Sequence, residues 1–155
     1  MSGLPNFPDL LVLVADPSVH MRRIIRDVIS RAGIKRVVEA TDGAEAIESF
    51  STAYPDIVIV DWDMPMLTGE EFVRLVRTPA TSPSPRTSII LLTSAPQKSI
   101  ITRAVTLGVN EVLMKPFSPK ALWGRMEQVV RYPRQFEQVG SMLKPVARIV
   151  AGQAV

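Results

Sequence analysis

The chain has no cysteine and a single histidine, His20. The first absence excludes disulfides and cysteine-ligated metal, and nothing in the composition argues for an oxidising compartment. His20 sits on the outer side of a helical pattern, where exposure is the ordinary role. No apolar run approaches the ~20 residues of a membrane span, and residues 1–8 lack the basic start and apolar core of a signal peptide. The expectation is a cytoplasmic protein with no membrane partner. Acidic and basic residues nearly balance, at 15 and 18. The net charge is +3, too small for a nucleic-acid-binding stripe, and aromatic and basic residues are not interleaved. Nucleic acid is therefore not an expected partner. The basic residues cluster once, as Arg22, Arg23, Arg26, Arg31, Lys35 and Arg36 against Asp27 alone. Such a cluster is by default a solvated helix face.

What is present is ordinary globular material. At 155 residues, 46% apolar and 21% charged, the chain suits one domain with a sizeable core and a short appendage. Its most informative stretch is Ile57-Val58-Ile59-Val60-Asp61-Trp62-Asp63-Met64-Pro65, followed by Gly69. A run of apolar β-branched residues reads as a strand buried on both faces, as in the middle of a parallel sheet. It ends abruptly in two carboxylates, and a charge there is costly to bury unless something pairs with it.

Short apolar runs over 10–15, 36–40, 88–93 and 111–114 predict four more strands. Between them the apolar period becomes helical. Met21, Ile24, Ile25, Val28, Ile29 and Ala32 form the inner face of the first helix, leaving His20, Arg22, Arg23, Arg26 and Asp27 outside, with Gly33 at its close. Asp16 or Ser18 can cap it. Further helices are expected from 44 to 50 or a little beyond, and from 69 to 77 with Phe72, Leu75 and Val76 inward. Another runs from 98 to 107, stopped by Gly108. The last follows Ser118-Pro119, with Leu122, Met126, Val129 and Val130 inward and Trp123 off that stripe, as an exposed interface residue would be. Residues 78–86 hold three prolines and no period, so they form a loop. A βα unit repeated five times predicts an α/β, flavodoxin-like, doubly wound sheet of five parallel strands in the order 2-1-3-4-5.

In that order the sheet reverses between the first and third strands, and ligands bind outside the carboxyl ends of strands at such a reversal. Asp16 and Asp61 flank it, Asp63 lies just beyond, and Thr93 and Lys115 close it from the fourth and fifth strands. Carboxylates around one opening can bind a hard divalent cation such as Mg²⁺. A lysine supplies a point charge for a phosphoryl oxygen, and a threonine a hydroxyl donor. The set suits phosphoryl transfer onto an aspartate, a nucleophile already ionised at pH 7 that needs no general base. Each residue also has a plain structural reading: a solvated strand end for Asp61 and Asp63, a helix cap for Asp16, a turn for Thr93. The joint spacing favours the functional one.

Over about 10–131 the chain resembles the receiver domains of bacterial response regulators, most closely the single-domain chemotaxis type. The resemblance rests on Met21-Arg22-Arg23-Ile24-Ile25, Asp42-Gly43, Asp61-Trp62-Asp63-Met64-Pro65 with Gly69, Thr93-Ser94-Ala95 and Lys115-Pro116-Phe117. It implies that Asp61 is the phospho-acceptor, Thr93 the switch hydroxyl and Lys115 the phosphate-binding lysine, with a cis Lys115-Pro116 bond. The carboxylates Asp16 and Asp61 are expected to hold Mg²⁺ weakly, with Asp63, which stands where the family often has asparagine, partly substituting for a missing acid. The implied phosphoryl source is a histidine kinase or phosphotransfer protein, whose helix docks beside Arg22, Arg23 and Arg26, and an unnamed downstream protein takes the signal. Such a protein is no enzyme beyond its own phosphorylation and dephosphorylation.

Two positions depart from the family's pattern. Pro17 stands where receivers usually carry a second acid, and Val112 stands at the place of an aromatic switch residue. These departures favour a rival reading, a receiver-like interaction module that is poorly phosphorylated. A further rival is a haloacid-dehalogenase-like phosphatase, since Asp61-Trp62-Asp63 also fits its paired aspartates. That class usually places the pair after the first strand and adds a later acidic metal pair, which this chain lacks. The expected organisation is a receiver over 9–132 and an extension over 133–155, with no separate output domain. The extension holds Phe136, Val139, Met142, Leu143, Val146, Ile149 and Val150. That is too apolar for a typical disordered tail, so it is expected to pack in cis or against a second copy as a homodimer arm.

Overall fold

Strands β1 (Leu11–Ala15), β2 (Arg36–Ala40), β3 (Ile57–Asp61), β4 (Ser88–Thr93) and β5 (Glu111–Met114) form one parallel sheet in the order β2-β1-β3-β4-β5. The structure, a computed structural model, describes residues 6–95 and 97–147 together with the backbone of 149–150 and 153–154. The connecting helices are α1 (Val19–Ser30), α2 (Gly43–Ala53), α3 (Gly69–Arg77), α4 (Lys98–Leu107) and α5 (Pro119–Arg131).

Side chains alternate across a strand, so each strand feeds two cores. Val12, Val14, Ile57, Ile59, Ile90 and Leu92 pack with Ile25 and Ile29 of α1 and Leu122 and Met126 of α5. Leu13, Val58, Val60, Ile89 and Leu91 pack on the other face with Phe50 of α2, Phe72 and Val76 of α3, and Ala104 of α4. With both faces covered, every residue of β3 is buried, which is why that strand reads as an unbroken apolar run. Local chemistry starts the helices where these cores need them. Ser18 Oγ accepts from Met21 N at 3.1 Å, Asp42 Oδ1 from Glu45 N at 2.8 Å, and Ser118 Oγ from Ala121 N at 3.1 Å. Thr68 and Glu71 form a reciprocal capping box, which satisfies two otherwise unpaired N–H groups.

Three expectations change. Arg22, assigned to the outer side of α1, is buried, because its guanidinium reaches the Asp16 carbonyl at 2.7 Å and Glu39 Oε1 at 2.9 Å. Trp123 is half-buried against the core rather than an exposed interface residue. Its indole N–H donates to Val28 O at 2.8 Å, and the Arg31 guanidinium lies 5.7 Å from the ring centroid. In α3 the inward stripe is Gly69, Phe72, Val73 and Val76, with Leu75 only half-buried. Those positions follow the i, i+3, i+4, i+7 spacing of one helix face, and Leu75 lies to its side.

Arg77, at the end of α3, is fully buried. Its Nε donates to Gly108 O at 2.8 Å, Nη1 to Pro85 O and Thr87 O at 2.7 and 2.6 Å, and Nη2 to Asn110 Oδ1 at 2.8 Å. One guanidinium thereby ties the proline-containing loop to the α4–β5 turn. Burial lowers its pKa to about 9, so it is still a cation at neutral pH.

The extension begins with an antiparallel hairpin, β6 (Phe136–Val139) and β7 (Met142–Pro145), turned at Gly140 with φ +61°. It lies on its own chain: Met142 and Leu143 are buried, β7 touches α3, and the Phe136 ring centroid is 5.0 Å from the Arg77 guanidinium. Val139 and Val146 are exposed. The side chains of Ile149 and Val150 lie outside the described residues, although the backbone of β8 (Ile149–Val150) pairs with that of β9 (Gln153–Ala154).

Candidate functional site

Asp16 leaves the end of β1 and Asp61 is the last residue of β3, its neighbour in the sheet. Both are nearly sealed from solvent, at 1% and 6% exposure. Lys115, just beyond β5, reaches across β3 and β4 to both of them. Its Nζ is 2.7 Å from Asp16 Oδ2 and 3.0 Å from Asp61 Oδ1. The Lys115-Pro116 peptide is cis.

Two carboxylates share one ammonium here, so the buried cluster carries a net negative charge. Burial raises the Asp61 pKa. The Lys115 hydrogen bond and charge oppose that rise, while Asp16 and Asp63 add to it, and the carboxyl ends above its ordinary 3.8. Burial alone would lower Lys115, but its hydrogen bonds to Asp16 and Asp61 and their charges outweigh that and raise it above 10.5. The lysine is therefore a fixed cation at neutral pH.

The loop after Asp61 is gripped from two sides. Gly69 N donates to Trp62 O at 3.0 Å, and Gly43 N donates to Pro65 O at 3.1 Å. These contacts need glycine: a Cβ on Gly69 would stand 2.5 Å from Asp61 O, and one on Gly43 would stand 1.8 Å from Leu67 O. Gly43→Ala is expected to lower the unfolding free energy by about 1–3 kcal/mol, since backbone rather than a movable side chain must give way. Urea unfolding measures the loss, and hydrogen exchange at 65–69 should show where the loop has opened.

The remaining predicted residues are placed differently. Thr93 is fully buried, and its Oγ1 accepts from Ala95 N at 3.1 Å, so its hydroxyl is oriented by the turn after β4. Asp63 is exposed and acts on Asp61 through its charge. Among the described residues no three acidic or imidazole side chains converge on one point. The donor set nevertheless fits a hard cation: it is all oxygen and net negative. The second oxygen of Asp61 makes no hydrogen bond among the described residues. Asp16 has already committed Oδ1 to Ser18 N at 2.8 Å and Oδ2 to Lys115. Sequence reasoning missed Arg22, which holds the carbonyl of Asp16, and Glu39, which anchors Arg22. The one available signal was their nearness to the ends of an adjacent helix and strand.

The response regulator receiver domain model matches residues 12–127. Chemotaxis protein CheY1 of Helicobacter pylori is 38% identical over 120 residues, covering 77% of this chain and 95% of that protein. Chemotaxis protein CheY of Thermotoga maritima is 30% identical over 118 residues, covering 76% and 95%. The solved structure of the chemotaxis response regulator CheY4 of Vibrio cholerae superposes with a TM-score of 0.71 at 31% identity, covering 79% of this chain and 99% of that one. The matching region, the strand order and the acidic crevice at the sheet's reversal agree, and the chain belongs to the response regulator receiver-domain family.

Proposed function

We propose that the chain is a receiver that accepts a phosphoryl group on Asp61 in a two-component phosphorelay. The observation that carries this reading is the Lys115 bridge, with Nζ within 3.0 Å of Asp61 Oδ1 at the carboxyl end of the central strand. Receiver domains interact with histidine kinases or phosphotransfer proteins and with downstream targets, and the phosphoryl source proposed here is of that kind. The phosphatase reading is not favoured, because the Asp61-Trp62-Asp63 pair follows the third strand rather than the first.

In the reaction the Asp61 oxygen not held by Lys115 attacks phosphorus. A new O–P bond forms as the bond from phosphorus to the donor breaks, and the donor leaves with that electron pair. Lys115, kept cationic by two carboxylates, draws the phosphoryl oxygens and offsets their charge. Thr93, at the adjacent strand end, supplies a hydroxyl once it leaves its turn. Asp61, Asp63 and Asp16 would be the residues to hold Mg²⁺, Asp16 by giving up one of its present donors. When bound, Mg²⁺ neutralises charge on the transferring group.

Incubation with Mg²⁺ and a small acyl phosphate, followed by intact-mass measurement, tests the proposal. One phosphoryl mass should appear on the wild type. Pro17→Asp, which adds a carboxylate beside Asp16, should reach the same modification at lower Mg²⁺. No gain from either the acyl phosphate or a competent kinase, with gain in Pro17→Asp, would hand the role to the interaction-module reading.

A further inference from the structure

All four polar atoms of Asp16 are engaged. Its N–H donates to Ala40 O at 3.1 Å and its carbonyl accepts from Arg22 Nη1 at 2.7 Å. Its Oδ1 accepts from Ser18 N at 2.8 Å, and its Oδ2 accepts from Lys115 Nζ at 2.7 Å. The carbonyl is the atom that needs special provision. It lies past the last parallel pairing of β1, which ends at Ala15 opposite Ala40 and Val60. The following residue, Pro17, restricts Asp16 to extended backbone and brings no N–H of its own to the turn. A buried guanidinium, at 8% exposure, fills that gap.

Arg22 is in turn fixed by a counter-charge. Its Nε donates to Glu39 Oε1 at 2.9 Å, and the other Glu39 oxygen holds Arg26 Nη1 at 2.7 Å. Glu39 is the residue before Ala40, whose carbonyl receives the Asp16 N–H. The end of β2 therefore grips the Asp16 main chain twice, once directly and once through Arg22. With the backbone held on both sides, the Asp16 carboxylate is left to place Lys115 at 3.0 Å from Asp61.

We infer that Arg22, anchored by Glu39, is a positioning residue for phosphorylation of Asp61. It acts through Asp16 on Lys115 and touches neither the phosphoryl group nor its acceptor. The inference rests on the proposed acceptor role of Asp61. Reactions of this kind are sensitive to placement: a shift of about 1 Å costs on the order of 100-fold in rate. Releasing the Asp16 carbonyl lets the turn relax and moves the ammonium relative to Asp61. The same arrangement leaves Arg23, exposed on the next position of α1, as the arginine of that pair open to a docking partner.

The test uses the full chain, an acyl phosphate and Mg²⁺, with phosphoryl mass followed in time. Arg22→Gln is expected to slow modification about 10- to 100-fold at saturating donor and Mg²⁺. Glu39→Gln should slow it less, and Arg22→Lys, which can reach the carbonyl or Glu39 but not both, should be intermediate. Lys35→Gln, at an exposed position just before β2, should match the wild type. The decisive readout is the Lys115→Ala background. If Arg22 works through Lys115, Arg22→Gln adds little further loss there, whereas general damage to the fold multiplies the two losses. Should Arg22→Gln fail to fold, Arg22→Lys and Glu39→Gln carry the same comparison. An unchanged rate in these variants, or losses that multiply, overturns the inference while the acceptor role stands. A wild type that gains no phosphoryl mass overturns both.

Discussion

Asp61→Asn is expected to abolish phosphoryl gain and at the same time make the protein more stable at neutral pH, by about 1–2 kcal/mol. The rate effect follows from removing the nucleophile. The stability effect follows from the charge count in the crevice: Asp16, Asp61 and Lys115 carry one uncompensated negative charge, and Asp63 adds to the field. An amide at 61 leaves a neutral Asp16–Lys115 pair. The pH dependence has a definite sign. Burial and like charge raise the folded-state pKa of Asp61 above its ordinary 3.8, so the folded state binds the proton more tightly than the unfolded chain. The stability linked to that proton is present below 3.8, is lost as pH rises through the folded value, and stays lost at neutral pH. The gap between Asp61→Asn and wild type should therefore be largest near pH 7 and close on acidification. Lys115 runs the other way. Its raised pKa contributes stability that is full below 10.5 and lost as pH rises through the folded value. Thermal unfolding across pH checks both, with a rise of about 3–6 °C expected for the variant at neutral pH. A variant no more stable than wild type at pH 7 would show that the Lys115 pairing outweighs the repulsion.

The sheet was legible because its strands are buried on both faces. Runs such as Ile57–Val60 and Ile89–Leu92 cannot be amphipathic helices of that length, and the alternation of strand and helix leaves few topologies. The meeting of Asp16, Lys115 and Asp61 was legible for a related reason: strand ends in a parallel sheet lie side by side, so a charge that ends an apolar run must face its counterparts. What stayed hidden were polar side chains whose heads find partners far along the chain. Arg22 reads as solvated because its pattern is judged by charge, yet its long stem lets the guanidinium reach Glu39, 17 residues away. Trp123 lies off the aliphatic stripe of α5, but its indole N–H meets a carbonyl 95 residues earlier. That contact exists only once α1 and α5 share a face of the sheet. The use of both Asp16 oxygens was equally invisible, since Ser18 N and Lys115 Nζ are supplied by the turn and by the fifth strand.

Arg77 is the extreme case, and it carries the largest stability effect expected of any single side chain described. Its acceptors, Gly108 O and Asn110 Oδ1, lie 31 and 33 residues on, and no carboxylate pairs with it among the described residues. The planar fork matches four oxygen acceptors from two segments at once, which an ammonium could not do. Arg77→Ala leaves those acceptors buried and unpaired and opens a cavity, an expected loss of about 3–5 kcal/mol. Arg77→Lys should recover only part. The C-terminal hairpin closes the same site. Phe136 lies over the guanidinium, Met142 and Leu143 are buried, and Arg134 Nη2 donates to Asn110 O at 3.1 Å. Each buried Leu or Met contributes roughly 1.5–3 kcal/mol and the cation–π contact about 0.5–2. Ordering the hairpin backbone opposes these gains. A chain ending at Tyr132 should therefore lose about 2–4 kcal/mol, and Phe136→Ala about 1 kcal/mol. In the Arg77→Ala background Phe136→Ala should cost much less, because the two share one contact. Urea unfolding with linear extrapolation reads all of these. If the shortened chain unfolds at the same midpoint as the full one, the hairpin is an ornament on the receiver. The burial of Arg77 must then be sustained by its five-stranded core alone.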